Sequence, residues 1–177
     1  MKAVVVYESM YGNTHLIAEA IADGLRATSD EVVVAPVGDT TRQLLGDADL
    51  IVVGGPTHVH GMTRENTRKA AVEAAGKEGS GLELEPDAEG PGLRTWFETV
   101  DELPPMAAAF DTRLKAPALV TGRASNGIAK RLRSHGSTLV AAPISFMVTK
   151  ESHLLDEETT HAREWGTQLG AALAAEH

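Results

Sequence analysis

The sequence contains no cysteine and few aromatic residues. Among its 177 residues, Phe, Trp and Tyr together make up 4%. The absence of Cys excludes disulfides, thiolate-ligated metals and Cys nucleophiles, so any redox chemistry requires a bound cofactor. The scarcity of aromatic residues limits which side chains could stack on a flat ligand.

Long apolar runs and a net positive charge are also missing. No apolar stretch approaches the ~20 residues that a membrane-spanning helix needs, and the first apolar run is too short for a signal peptide. The net charge of −9 argues against nucleic acid and anionic membranes as partners, and it fits a positively charged protein partner. We therefore expect a cytoplasmic protein whose length suits one domain with a proper core.

Several common motifs of α/β proteins are absent as well. Neither G-x-G-x-x-G nor G-x-x-x-x-G-K-[ST] follows the first apolar run, which excludes the usual dinucleotide and NTP sites. There is no G-x-S-x-G turn of a hydrolase. The third apolar run ends in Val53-Gly54-Gly55, where a response-regulator receiver would need an aspartate.

The apolar pattern predicts strands that alternate with helices. Strands are expected over residues 3–7, 31–36, 50–53, 106–110 and 137–148, and helices over 13–27, 39–45, 64–75, 93–103, 125–135 and 157–175. Short, almost wholly apolar strands alternating with helices are typical of a parallel sheet covered on both faces. Residues 77–92 are rich in Gly, Glu and Pro and predict an acidic surface insertion. Residues 118–120 predict a short buried segment.

The turn after the first strand suits a phosphate group. The first N–H groups of the helix that follows have no partner within the helix and can bind an anion. Gly12 allows close approach of the backbone, and Ser9, Asn13 and Thr14 add short polar side chains. The turn contains no Lys or Arg, so binding would depend on neutral donors. The alternative is that these residues only cap the helix.

A second unusual stretch follows the third strand. Residues 54–63 contain three glycines, a proline and two histidines. In an open parallel sheet, ligands bind beyond the carboxyl ends of the strands, where the strand order reverses. With the strand order 2-1-3-4-5, the first and third strands flank that point, so the two stretches would lie together.

These stretches resemble the loops of the flavodoxin family, whose members bind FMN. Val-Tyr-Glu-Ser-Met-Tyr-Gly-Asn-Thr at residues 6–14 resembles the phosphate loop, Gly54-Gly55-Pro56-Thr57 resembles the first isoalloxazine loop, and residues 110–113 occupy the place of the second. The resemblance implies a three-layer, doubly wound five-stranded parallel sheet of order 2-1-3-4-5, with FMN as cofactor. It implies FMN contacts from Ser9, Met10, Tyr11, Gly12, Asn13, Thr14, Pro56, Thr57, His58, Val59, His60, Gly61, Asp111, Thr112 and Arg113.

The chain departs from the family pattern in two respects. Tyr11 stands before the glycine, where the family often has a hydroxyl residue that donates to the phosphate, and the tyrosine hydroxyl could replace it. The family's electron carriers usually flank the flavin with aromatic residues, but here the corresponding loops offer His58, His60 and Arg113. Positive charge on these side chains would favour the anion of the reduced flavin and make the flavin a weaker reductant.

Three functions therefore remain open at this point. The first is an electron carrier that connects redox partner proteins. The second is an NAD(P)H-dependent FMN oxidoreductase acting on a small quinone-like acceptor, framed by His58, His60 and the region of Trp96, with residues 77–92 as a lid. The third is an interaction module that keeps the fold without the flavin.

Overall fold

The computed structural model describes residues 1–176 and contains one central sheet with helices on both faces. The strands are β1 (Lys2–Tyr7), β2 (Glu31–Pro36), β3 (Leu50–His58), β4 (Gly61–Met62), β5 (Met106–Leu114), β6 (Thr138–Leu139) and β7 (Ile144–Val148). The helices are α1 (Asn13–Leu25), α2 (Arg42–Leu45), α3 (Glu65–Ala75), α4 (Leu93–Thr99), α5 (Ala118–Thr121), α6 (Ala124–Ser134) and α7 (Glu158–Ala175). No helix within residues 1–176 combines the length and the apolar character needed to cross a bilayer.

The order of the strands confirms the predicted doubly wound sheet. The parallel strands follow the order β2-β1-β3-β5-β6, and β7 continues beside β5 where β6 ends. β6 and β7 are thus the two halves of the predicted fifth strand, interrupted around Pro143, and the order is the predicted 2-1-3-4-5. β4 is antiparallel and forms a hairpin with the end of β3.

Both faces of the sheet are apolar because helices cover both. On one face, Val5 and Val52 pack with the side chains of α1 and α7, among them Ile17 and Trp165. On the other face, alternate strand residues pack against α4 and α6. Side chains that alternate along a strand serve opposite faces, so a strand buried on both faces is continuously apolar. This explains the apolar runs that predicted the strands.

Residues 118–120 differ from the prediction. They form the one-turn helix α5 on the surface, where Leu119 is 95% exposed, so the expectation of a buried segment is wrong. The turn is bounded by Pro117 and by Gly122, whose φ of +72° reverses the chain. Apolar composition alone does not distinguish a short buried strand from an exposed apolar turn.

The acidic segment 77–92 packs on the outside of the turn between β1 and α1. The N–H of Glu85 donates to the carbonyl of Met10 at 2.9 Å. Ala88 is buried in a small apolar cluster with Met10 and Ala71. The segment is therefore anchored at its centre rather than free of the fold.

Candidate functional site: a cavity at the carboxyl edge of the sheet

A cavity of about 290 Å³ opens where β1, β3 and β5 end. Its wall is formed by Ser9, Met10, Tyr11, Asn13, Thr14, Pro56, Thr57, His58, Val59, Thr112, Arg113, Leu114, Val148, Thr149, Lys150 and Ser152. The three predicted stretches thus meet around one cavity. A fourth segment, which runs from Val148 at the end of β7 to Ser152, completes the wall and was not predicted.

The turn between β1 and α1 (residues 9–14, hereafter the phosphate loop) is shaped by Gly12. This residue precedes α1 with φ at +94°, a left-handed conformation that favours glycine. Its N–H donates to Ser9 Oγ at 3.1 Å. Because Ser9 Oγ accepts this bond, its own hydrogen is free to donate to a ligand in the cavity.

The first N–H groups of α1 point to the same function. Leu16 is the first residue of the helix whose N–H reaches a preceding carbonyl, that of Gly12 at 2.9 Å. Within residues 1–176, the N–H groups of Asn13, Thr14 and His15 have no protein acceptor. Three unpaired N–H groups at the positive end of a 13-residue helix are suited to an anion.

Two hydrogen bonds attach the phosphate loop to other parts of the cavity wall. The Thr14 and Thr112 hydroxyls lie 2.8 Å apart, and both side chains are buried. Asn13 Nδ2 donates to the carbonyl of Ser152 at 2.6 Å. These contacts hold α1 against β5 and against the segment that follows β7.

The segment whose Ser152 carbonyl accepts the bond from Asn13 also carries a positively charged side chain into the cavity wall. Lys150 lines the cavity together with the phosphate loop, although the two are more than 130 residues apart in sequence. The cavity wall thus includes a cation in addition to the neutral donors that the sequence predicted. Sequence reasoning missed Lys150 because its turn carries no glycine-rich signal and comes close only through the pairing of β7 with β5.

The stretch after β3 forms a tight hairpin rather than an open loop. β3 extends to His58, and the turn consists of Val59 and His60, with φ at +45° and +71°. Thr57 Oγ1 accepts a hydrogen bond from the N–H of Ala124, the first residue of α6, at 2.9 Å. Gly122 lies against the turn so closely that an added Cβ would stand 2.3 Å from the His60 carbonyl oxygen.

Residues 111–113, which were expected to form a loop after the fourth strand, are part of that strand. β5 continues to Leu114, so Asp111, Thr112 and Arg113 are buried strand residues. Asp111 lies below the cavity, where one carboxylate oxygen accepts from the N–H of Ser125 at 2.7 Å. Burial raises the pKa of the Asp111 carboxyl, and the bond from Ser125 offsets part of that rise.

His58 and Arg113 both line the cavity. Burial lowers the pKa of His58 below its usual 6.5, and attraction to Glu8 offsets part of this shift. This shift works against the hypothesis of a positive His58 beside a flavin ring. The buried Nε of Arg113 has no protein acceptor within residues 1–176.

Four of the predicted residues do not line the cavity. These are Gly12, His60, Gly61 and Asp111. Gly12 and Gly61 shape the turns, His60 lies on the exposed outer side of the hairpin, and Asp111 supports the floor. The Tyr11 side chain lines the cavity, but its hydroxyl donates to the carbonyl of Ala71 at 2.9 Å and so is not available as the expected phosphate donor.

Trp96 and residues 77–92, which an oxidoreductase was expected to use at its acceptor site, do not line the cavity. Trp96 is buried in the core on the α4–α6 face, so it does not frame an acceptor at the cavity. None of residues 77–92 lines the cavity, so this segment is not a lid over it. Glu8, at the end of β1, is buried and accepts hydrogen bonds from Thr63 Oγ1 and from the N–H of Leu93.

The donors around the cavity fit FMN. For a phosphate dianion, the phosphate loop provides unpaired N–H groups and hydroxyls, and Lys150 lines the same cavity. For a flat ring, the hairpin and β5 provide both apolar and polar side chains. Within residues 1–176, no group of three or more His, Asp or Glu side chains is arranged to hold a metal ion. The fold and the cavity are those of a doubly wound α/β protein with its ligand crevice at the switch point of the sheet.

Comparison with known proteins gives the family. The model of the flavodoxin family matches residues 5–95, more than half of the chain, so the chain belongs to the flavodoxin family. This is a family of FMN-binding electron-transfer proteins. A search of curated proteins finds no match.

Solved structures share the fold across the whole chain. A flavodoxin from the domain Archaea is 23% identical with a TM-score of 0.67, and the match covers 98% of this chain and 99% of that one. Flavodoxin 1 from Bacillus cereus is 20% identical with a TM-score of 0.62, covering 100% and 99%. The flavodiiron protein from Giardia intestinalis is 23% identical with a TM-score of 0.62, covering 98% of this chain and 36% of that one.

Proposed function

We propose that this protein binds FMN in the cavity at the carboxyl edge of the sheet and passes electrons between redox partners. The observation that carries the proposal is the phosphate loop, in which three N–H groups of α1 have no protein acceptor within residues 1–176. The first N–H groups of a helix have no partner within the helix, and together with the helix dipole they can bind an anion. A phosphate bound here would satisfy all three groups.

The rest of the cavity supports the same ligand. Lys150 adds a positive charge to the wall that the phosphate loop forms, which suits a dianion. The isoalloxazine ring supplies the redox chemistry that the side chains of this chain cannot, because the sequence has no cysteine. The residues of the chain bind the cofactor, orient it and exclude water from part of it.

A carrier is favoured over an oxidoreductase that transfers hydride. The segment that would have served as a lid packs outside the phosphate loop, and Trp96 lies in the core. Of the residues that would frame a small acceptor in that alternative, His58 lines the cavity, whereas His60 and Trp96 do not.

The test is a reductive titration of the FMN-loaded protein, followed by absorbance, with free FMN as the control. A carrier is expected to take up the two electrons in separate one-electron steps, whereas free FMN takes them nearly together. Uptake of both electrons in one step by the loaded protein would contradict the carrier function and favour the oxidoreductase.

A further inference from the structure

The surface beside the cavity carries most of the exposed large apolar side chains. Six such side chains are exposed within residues 1–176. Four of them border one region: Val59 is 78% exposed, Leu114 45%, Leu119 95% and Val120 64%. Large exposed apolar side chains that cluster usually mark a contact surface, whereas single ones need no explanation.

This region is continuous with the cavity. A shallow groove of about 240 Å³ passes between the hairpin and α5, and Val59, Arg113 and Leu114 line both the groove and the cavity. A molecule seated on the groove would therefore lie next to whatever occupies the cavity.

Hydrogen bonds hold this surface in a fixed shape. Arg113 Nη1 donates to the carbonyl of Ala116 at 2.7 Å and to Thr121 Oγ1 at 3.1 Å, which ties α5 to the end of β5. Gly122 and His60 form a bridge that ties α5 to the hairpin. The exposed apolar side chains thus stand on a supported surface rather than on a free loop.

The segment that contributes Leu114, Leu119 and Val120 to this surface is basic, whereas the whole protein is acidic. Residues 112–150 contain no Asp or Glu, while the chain as a whole has 25. The same stretch contains seven of the 16 basic residues: Arg113, Lys115, Arg123, Lys130, Arg131, Arg133 and Lys150. The rest of the chain therefore carries all 25 acidic residues against nine basic ones, since 16 minus seven is nine.

The basic side chains near the groove are also unpaired. Within residues 1–176, Lys115, Arg123 and Lys150 form no ion pair, although all three are exposed. By contrast, Arg42 pairs with Asp101 and Lys69 with Glu65 elsewhere on the surface. The four apolar residues with Lys115 and Arg123 are called the α5 face below.

We propose that the α5 face docks the redox partner of this protein, and that the docking surface of this partner is acidic around an apolar centre. The proposal rests on the proposed electron-transfer function. An apolar centre with a charged rim is the usual anatomy of a transient interface, and the charge of the rim selects a partner of opposite sign. This proposal differs from the positively charged partner that the net charge alone suggests.

The experiment follows electron transfer from the reduced, FMN-loaded protein to two acceptor proteins by stopped flow at low and high salt. One acceptor is acidic, of the cytochrome b5 type, and the other is basic, of the cytochrome c type. The second-order rate constant for the acidic acceptor is expected to fall roughly tenfold or more as salt rises. The rate constant for the basic acceptor is expected to rise or stay level.

Two sets of variants locate the effect. The double charge reversal Lys115→Glu with Arg123→Glu is expected to remove the preference for the acidic acceptor. The variant Leu119→Ser is expected to raise the apparent Kd for the acidic acceptor roughly tenfold. The matched control is Lys130→Glu with Arg133→Glu, which changes net charge equally at the other end of the 11-residue α6. The control is expected to change the rate constant less than about twofold, because screening limits its reach.

Each other outcome overturns the proposal in a distinguishable way. FMN loading is measured first by absorbance, and a protein that retains no FMN overturns the proposed function and the docking with it. Normal loading and reduction with no preference for the acidic acceptor, or equal effects of the two charge reversals, overturns the docking alone. A dimer in light scattering that Leu119→Ser abolishes assigns the face to a second copy, and sedimentation with phosphatidylserine vesicles that the same variant abolishes assigns it to a membrane.

Discussion

Two turns border the cavity, and only one of them uses glycine where the backbone becomes left-handed. The phosphate loop places Gly12 at φ +94°, whereas the hairpin places Val59 at +45° and His60 at +71°. A left-handed β-branched residue costs about 1–2 kcal/mol relative to glycine. The phosphate loop therefore agrees with its local sequence, and the hairpin has to be held in place by its surroundings.

The support of the hairpin comes from distant parts of the chain. Arg94 Nε donates to the carbonyl of Thr63 at 3.0 Å, Gly122 packs against His60, and the N–H of Ala124 donates to Thr57. Strain that persists because the surroundings determine it is commonly found at functional sites. The comparison indicates that the hairpin is the side of the cavity with stored strain.

The largest expected effect comes from removing the support of the hairpin. Gly122→Ala places a Cβ 2.3 Å from the His60 carbonyl oxygen at a φ of +72°, so the hairpin has to shift. We expect the free energy of unfolding to fall by about 3 kcal/mol in urea denaturation. Gly79→Ala is the matched control, because Gly79 has a φ of +74° with open space around it. Its expected loss is about 1 kcal/mol, and equal losses in the two variants would show that the contact with His60 is irrelevant.

A smaller effect is expected on the side of the phosphate loop. Thr14→Val removes one partner of the buried hydroxyl pair and leaves the Thr112 hydroxyl unsatisfied. We expect a loss of about 2 kcal/mol in the free energy of unfolding. The double variant Thr14→Val with Thr112→Val removes both hydroxyls and is expected to recover at least half of that loss. Additive losses would mean that the two hydroxyls do not interact.

The contribution of Lys150 is expected to be smaller again and specific for the phosphate. Lys150→Met should weaken FMN binding by about tenfold, or about 1.4 kcal/mol, and leave riboflavin binding unchanged. The effect should shrink as salt rises. Lys130→Met, an exposed lysine on α6, serves as control. A loss that is equal for FMN and riboflavin would assign Lys150 to the ring rather than to the phosphate.

The smallest expected effect is the pH dependence due to His58. Its pKa in the folded protein lies below 6.5 because of burial. Below that pH the unfolded chain therefore binds more protons, and the free energy of unfolding falls as the pH drops from about 7 to about 5. His58→Gln should reduce this fall by less than about 1 kcal/mol, measured by urea denaturation across the range. An unchanged slope in the variant would mean that His58 does not titrate differently on folding.

The sequence predicts the parts of this protein that local patterns specify. Continuous apolar runs and helical periodicity predicted the five strands, and the resemblance to flavodoxins implied their order. The Gly12 turn indicated a phosphate loop because glycine and short polar residues have local preferences there. The hairpin, the extension of β5 and the position of Lys150 depend on contacts between distant segments, such as Gly122 with His60 and Asn13 with Ser152. Such contacts leave no periodic signal in one sequence.

The charge of the whole chain differs from the charge of the segment beside the cavity. The net charge of −9 describes the whole chain, but the acidic residues lie outside residues 112–150. Net charge alone therefore does not give the charge of the segment that follows β5.

The measurement that tests the central claim most directly is a fluorescence titration of the purified protein with FMN and, in parallel, with riboflavin. The two ligands differ only in the phosphate, so their ratio of affinities reports on the phosphate loop. The account predicts that FMN binds at least about 100-fold more tightly, which corresponds to about 2.7 kcal/mol. Equal affinities, or no binding of either ligand, would contradict the assignment of the cavity to FMN.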